Sequence, residues 1–164
     1  MNMVYGYTGK FFEDFKVGER TVHRYGRTVT YQDNLYFTHS LLNSARLHFD
    51  REYMDLTEFK QPLLVATMTL AIAYGITSFE YPNIAGELEI ADLSFHSPVF
   101  DGDTLHVETE VLEVKDLNRE DYGEVNVKYR VYKQNFKTLV CEFRRRFYVY
   151  KRNYWFSMMK GDKK

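Results

Sequence analysis

The stretch LLVATMTLAIAYGI, Leu63 to Ile76, is the longest apolar run of the chain. It is fourteen residues long and carries Thr67 and Thr69, so it is too short and too polar to cross a bilayer. Pro62 in front of it suits the first turn of a helix, where a missing N–H costs nothing. From Leu63 to Tyr74 nearly every helical face is apolar. That spacing predicts a helix enclosed all round rather than laid on a surface. Whatever encloses it must come from the rest of the chain.

Downstream of Pro82-Asn83 the pattern changes to period two. Leu88 and Ile90 share one face, then Leu93 and Phe95 continue out of phase, which predicts a bulge near Ala91-Asp92. Asp101-Gly102-Asp103 signals a turn. Leu105, Val107, Thr109 and Val111 alternate on a second strand, and Val125, Val127, Tyr129 and Val131 on a third, with a polar connection from Asp116 to Gly123. Thr138 to Lys151 reads as a last long strand with Cys141, Phe143, Phe147 and Val149 on one face. Upstream, Glu19 to Thr30 reads as extended. Thr30-Tyr31-Gln32-Asp33 fits a capping box, so a helix starts near Tyr31 and leads into an irregular segment from Ser40 to Asp50. A meander of long strands can cover one buried helix only by curling around it. The expected class is therefore α+β, an antiparallel sheet wrapped around a long central helix: the hot-dog fold. Edge strands in such a sheet invite pairing with a second copy, so a homodimer or higher homo-oligomer is expected.

Composition narrows the function. The chain has 164 residues, suited to a single domain over 1–164, with a core over about 12–152 and a tail over 153–164. Lys plus Arg number 22 and Asp plus Glu 23, a net charge of −1, which argues against nucleic acid as a partner. The one cysteine, Cys141, rules out an intrachain disulfide and a Cys-based zinc site, and it fits a reducing cytoplasmic compartment. The start, MNMVYGYTGKFFEDF, lacks the layout of a signal peptide, and no stretch suits a membrane span. Five histidines occur, none in HxxxH or HxH spacing, so no metal site is expected. Phosphate-cradling glycine loops and a GxSxG elbow are absent from the sequence, so neither a nucleotide cofactor nor a serine nucleophile is expected.

The chemistry then falls on the irregular stretch Leu42-Asn43-Ser44-Ala45-Arg46-Leu47-His48-Phe49-Asp50. It lies just before the buried helix, where a loop residue can reach into a cleft. An uncharged His48 there could take a proton from water; it could equally bond a carbonyl inside a packed loop. His23, His96 and His106 fall in apparent strands and read as surface or core residues. Arg144 to Arg146, on the last strand, read as a solvated or dimer-edge face. The tail from Asn153 is apolar, then Lys-rich, and is expected to pack on a subunit surface and end in disorder.

The stretch Leu42 to Asp50, ending LHFD, resembles the hydratase signature G-D-x-N-P-x-H-x-D of the MaoC-like family of (R)-specific enoyl-CoA hydratases. Phe12-Glu13-Asp14-Phe15-Lys16-Val17-Gly18 is similar to that family's F-x-D-x-x-V-G opening. Phe95-His96-Ser97-Pro98-Val99-Phe100-Asp101-Gly102-Asp103-Thr104-Leu105 is similar to its F-x-x-P-V-x-x-G-D-T-L strand-turn. The resemblance implies that His48 stands at the catalytic histidine and Asn43 at the catalytic aspartate. It implies a water held against the C2–C3 double bond of an enoyl thioester carried by CoA or acyl-carrier protein, with no cofactor beyond that substrate. Asn43 departs from the family, since an amide orients water but cannot carry its proton. The Asn-x-x-x-Leu-His-Phe-Asp pattern of Asn43 to Asp50 resembles a mesaconyl-CoA hydratase-like branch, which implies branched or dicarboxylic acyl-CoAs. Arg46 replaces the usual proline; it could pair with a substrate carboxylate or CoA phosphate, or be an ordinary solvated arginine. Val65-Ala66 replaces the family's His-Gly, and the Ala66 backbone amide is the implied donor to the thioester oxygen. Two other readings stand beside this one. A hot-dog thioesterase would want an acid on the central helix, which has none, and a non-catalytic acyl-CoA-binding subunit would need no Asp at position 43.

Overall fold

The computed structural model describes residues 6–161. Strands β1 (Arg20–Val22), β2 (Arg27–Thr28), β3 (Ile84–Phe95), β4 (Thr104–Lys115), β5 (Tyr122–Lys133) and β6 (Thr138–Tyr150) pair antiparallel in the order β1-β4-β5-β6-β3, with β2 also on β4. Helices α1 (Tyr31–Ser40), α2 (Arg51–Asp55), α3 (Ala66–Thr77) and α4 (Arg152–Met159) complete the chain. Helix α3 packs on β4 and β5, which makes this the α+β hot-dog architecture that the sequence pattern implies.

The alternation read from the strands sorts their side chains as expected. Leu105, Val107 and Val111 of β4, Val125, Val127, Tyr129 and Val131 of β5, and Phe143, Phe147 and Val149 of β6 face the core. Tyr129 and Phe143 lie opposite one another and stack, ring centroids 4.8 Å apart. Each such buried side chain contributes about 1.5–3 kcal/mol. The bulge in β3 is present: pairing with β6 shifts between Ala91 and Ser94, and Asp92 takes φ 53° there. The capping box closes as read, with the Asp33 N–H donating to Thr30 Oγ1 and the Thr30 N–H to Asp33 Oδ2 at 2.9 Å. At Gly123 a Cβ would sit 2.2 Å from the Phe12 ring, so the absent side chain is what lets the opening turn lie flat on β5.

Three expectations need correcting. Pro62 is not in the first turn of the central helix, which begins at Ala66 with Val65 as its cap. The Leu63 N–H donates to Leu47 O and the Leu64 N–H to Val99 O, so the chain must stay extended until those cross-links are made. The helix is also not enclosed all round within one chain. Met68, Thr69, Ala73, Ile76 and Thr77 are buried on the sheet, whereas Ala66, Thr67, Ala71 and Gly75 are exposed. One sheet can cover only one side of a helix. The arginine run is not uniformly solvated either. Strand alternation turns Arg145 inward to 3% exposure, where it pairs with Glu87, donates to Tyr129 OH at 2.9 Å and lies over Tyr74. Arg144 and Arg146 point outward to Asp92 and Glu89. The apolar part of the tail packs on the surface of its own chain as a helix: α4 sets Trp155 and Phe156 against Phe11. The expected disorder of the Lys-rich end falls largely on residues 162–164, outside the described residues.

Two buried groups carry predictions. Cys141 is fully buried and free, and burial pushes its thiol up to about 12. A thiol reagent at neutral pH is expected to label it only when denaturant is present. His23 is 2% exposed, its Nδ1 2.8 Å from Glu80 Oε2 and its Nε2 2.9 Å from Thr109 Oγ1, which also bonds Tyr81 OH. Burial pushes its imidazole below the ordinary histidine value, against the pull of Glu80. The unfolded chain therefore binds the proton more readily. Stability from His23 is present above about pH 6.5 and is lost as pH falls below it. Thermal unfolding from pH 7.5 to 5 is expected to show this slope, and His23→Gln to flatten it.

Candidate active site

The segment between α1 and α2 folds into an Asx turn followed by a single 3-10 turn, Arg46–His48. Asn43 starts it: its Oδ1 accepts from the Ala45 N–H at 3.0 Å, and its own N–H donates to Thr38 O at 3.0 Å. His48 ends it. The His48 Nδ1 lies 2.9 Å from Leu63 O. A carbonyl can only accept, so Nδ1 carries the proton and Nε2 of the neutral ring is left as the acceptor.

His48 lines a cavity of about 350 Å³. Ala66 and Thr69 of α3, Phe95 and His96 from the end of β3, and Ser97 and Val99 beyond it line the same space. Ala66 is the first residue of a 12-residue helix, so its N–H has no partner inside the helix. Among the described residues no other acceptor meets it. A developing negative charge near that amide would be stabilised by the helix dipole. The cavity thus combines a proton acceptor with an unspent backbone donor.

Both are held by a residue that sequence reading passed over. Asn34, on the first turns of α1, is 4% exposed. Its Nδ2 donates to His48 O at 2.7 Å and to Leu63 O at 2.9 Å, and its Oδ1 accepts from the Val65 N–H at 3.0 Å. One amide therefore ties the histidine turn to the start of α3. The only sequence signal was an asparagine inside a helix, where it is a poor former unless its side chain has work elsewhere. Its partners stand 14, 29 and 31 positions away, which no local pattern exposes.

The other candidates are placed differently. Val65 does not offer its amide to the cavity, because Asn34 takes it. Asn43 does not line the cavity within one chain; its side-chain oxygen is spent on the turn. Arg46 also stays off the cavity, with Asp50 2.7 Å away and the Tyr53 ring beneath it. Of the histidines set aside, His23 is a core residue and His96 an exposed one, as read, and His96 also lines the cavity. Strand β3 ends at Phe95, so His96 lies where the chain turns off the sheet and is free of its alternation. His106 packs on Phe136. Among the described residues no cluster of three or more His, Cys, Asp or Glu is placed to hold a metal ion, and no helix is long and apolar enough to cross a membrane.

Residues 14–133 match the family model described as MaoC like domain. A β-methylmalyl-CoA dehydratase from Chloroflexus aurantiacus is 24% identical over 131 residues, 77% of this chain and 36% of that protein. The chain thus spans about a third of the length of that curated relative. Among solved structures, a protein from Archaeoglobus fulgidus described as a monoamine oxidase regulatory protein superposes with TM-score 0.76 and 30% identity, over 87% of this chain and 95% of its own. A putative MaoC domain dehydratase from Chloroflexus aurantiacus gives 0.84 and 25%, over 92% of this chain and 43% of its own. An R-hydratase from Pseudomonas aeruginosa at 24% identity shares the fold, with TM-score 0.69 over 85% and 84% of the two chains. The matched span takes in Asn34, the His48 turn, the start of α3 and the Phe95–Leu105 strand-turn, and it shows that this chain belongs to the MaoC-like domain family.

Proposed function

We propose that the chain is an enoyl-thioester hydratase/dehydratase, adding water across the C2–C3 double bond of an acyl-CoA or acyl-carrier-protein thioester, or removing it. One observation carries this reading: His48, with only Nδ1 bonded, and Ala66, whose N–H has no partner among the described residues, line a single cavity. In the forward direction His48 Nε2 takes a proton from water as the oxygen attacks C3. The electron pair of the double bond moves through C2 to the thioester oxygen, which the Ala66 N–H stabilises. Protonation at C2 completes the addition. One such backbone donor is worth about 3–4 kcal/mol in the transition state. Asn43 enters as the residue that closes the turn carrying His48. The chemistry uses water and the thioester and calls for no cofactor.

A homodimer in the cytoplasm belongs to this proposal. The outer edge of β3 ends the sheet, and Leu88, Ile90, Leu93 and Phe95 are exposed along that strand. Pairing two such edges would cover that apolar surface. The test is loss of the enoyl-thioester ultraviolet absorbance with crotonyl-, mesaconyl- and longer enoyl-CoAs. Disappearance of the band with no free thiol supports hydration. Release of CoA thiol would support a thioesterase instead, and binding without either change a non-catalytic acyl-CoA-binding subunit.

A further inference from the structure

Addition of water needs two proton transfers, one from the attacking oxygen and one to C2. The carboxylate that would share this work with His48 is missing, because an amide stands at position 43 and lies off the cavity. Among the described residues lining the cavity, only His48 and His96 can exchange a proton near neutral pH. They come from different parts of the fold, His48 from the turn before α2 and His96 from just past the end of β3. The His96 Nε2 lies 3.8 Å from Glu142 Oε1 on β6. Lys128 on β5, 2.7 Å from the other oxygen, bonds Glu142 and with the nearby charges of His96 and Arg130 holds its carboxyl below the ordinary range. Glu142 is thus an ionised partner for an imidazolium at position 96.

We propose that His96 is the second catalytic residue of the site, its imidazolium giving the proton to C2 while His48 takes the proton of the attacking water. The inference rests on the hydratase reading. The step balances: one water is consumed, its oxygen bonds to C3, its proton goes to His48, and a proton from His96 bonds to C2. His48 leaves as the cation and His96 neutral, and solvent exchange resets both. In dehydration the roles reverse.

The test is the pH dependence of kcat/KM for hydration together with hydrogen exchange at C2. The wild type is expected to show a profile with an acid and an alkaline limb, since one imidazole must act as base and the other as acid. His96→Gln should lower kcat about 100-fold, leave KM and thermal unfolding little changed, and remove the alkaline limb. Glu142→Gln should lower kcat with KM little changed, since the imidazolium loses its counter-charge. In D2O, His48→Ala should still exchange the C2 hydrogen of a 3-hydroxyacyl-CoA, and the double variant should not. Full activity with both limbs in His96→Gln, or exchange that survives in the double variant, overturns the inference. A wild type that hydrates no enoyl-CoA removes the reaction itself, and this role with it; that result is read before any variant is compared.

Discussion

Replacing His48 by alanine is expected to lower hydration turnover by about 10²–10⁴-fold, the range for losing a positioned general base. The variant should still fold. The His48 side chain is only partly buried and makes one hydrogen bond, Nδ1 to Leu63 O, while that carbonyl keeps its bond from Asn34 Nδ2. Losing one such bond costs about 1 kcal/mol, a change of about 2–4 °C in Tm for a domain of this size. Rate and stability should therefore separate widely. Initial rates with enoyl-CoA and a thermal melt on the same preparation are the check. Turnover within a few-fold of the wild type would remove His48 from the reaction.

Asn34→Ala should damage both. The substitution strips the partner from His48 O and from the Val65 N–H, neither of which has another among the described residues; Leu63 O keeps His48 Nδ1. Each buried polar group left unpaired costs about 1–3 kcal/mol. The summed loss is about 2–6 kcal/mol, or of order 10 °C in Tm. Activity should fall further than the folded fraction does, because the histidine turn and the start of α3 are no longer held together. Asn34→Asp is expected to be no rescue. A carboxylate can still accept from Val65, but it faces the carbonyls of His48 and Leu63 with no hydrogen to offer. Circular dichroism melts and rates well below the melting range decide the matter. A variant with wild-type Tm and wild-type rate would show that the amide clamp does nothing.

The parts of the fold that were legible in the sequence are those set by neighbouring residues. Alternation every second residue placed Val107, Val127 and Phe147 in the core because side chains of a strand point to opposite faces. The phase change after Ile90 marked the bulge at Asp92, and Thr30 with Asp33 marked the start of α1. The same rule, pushed further, would have turned Arg145 inward; reading the three arginines as a charge run hid it. Pro62 misled because its preference for a first helical turn is weak beside the cross-chain bonds that hold Leu63 and Leu64 extended.

Within the site, residue type and resemblance singled out His48 and Ala66, since a histidine near a helix start is visible in one dimension. Which atoms of that neighbourhood are spent and which are free could not be read there. Asn34 claims the amide of Val65, Asn43 spends its oxygen on Ala45, Asp50 holds Arg46, and His96 arrives from a strand almost fifty positions downstream of His48. Local periodicity and capping follow from covalent geometry and the near sequence, so the chain carries them openly. A cavity and its hydrogen-bond accounting arise from segments that meet only once the sheet has closed against α3, and no spacing along the chain encodes that meeting.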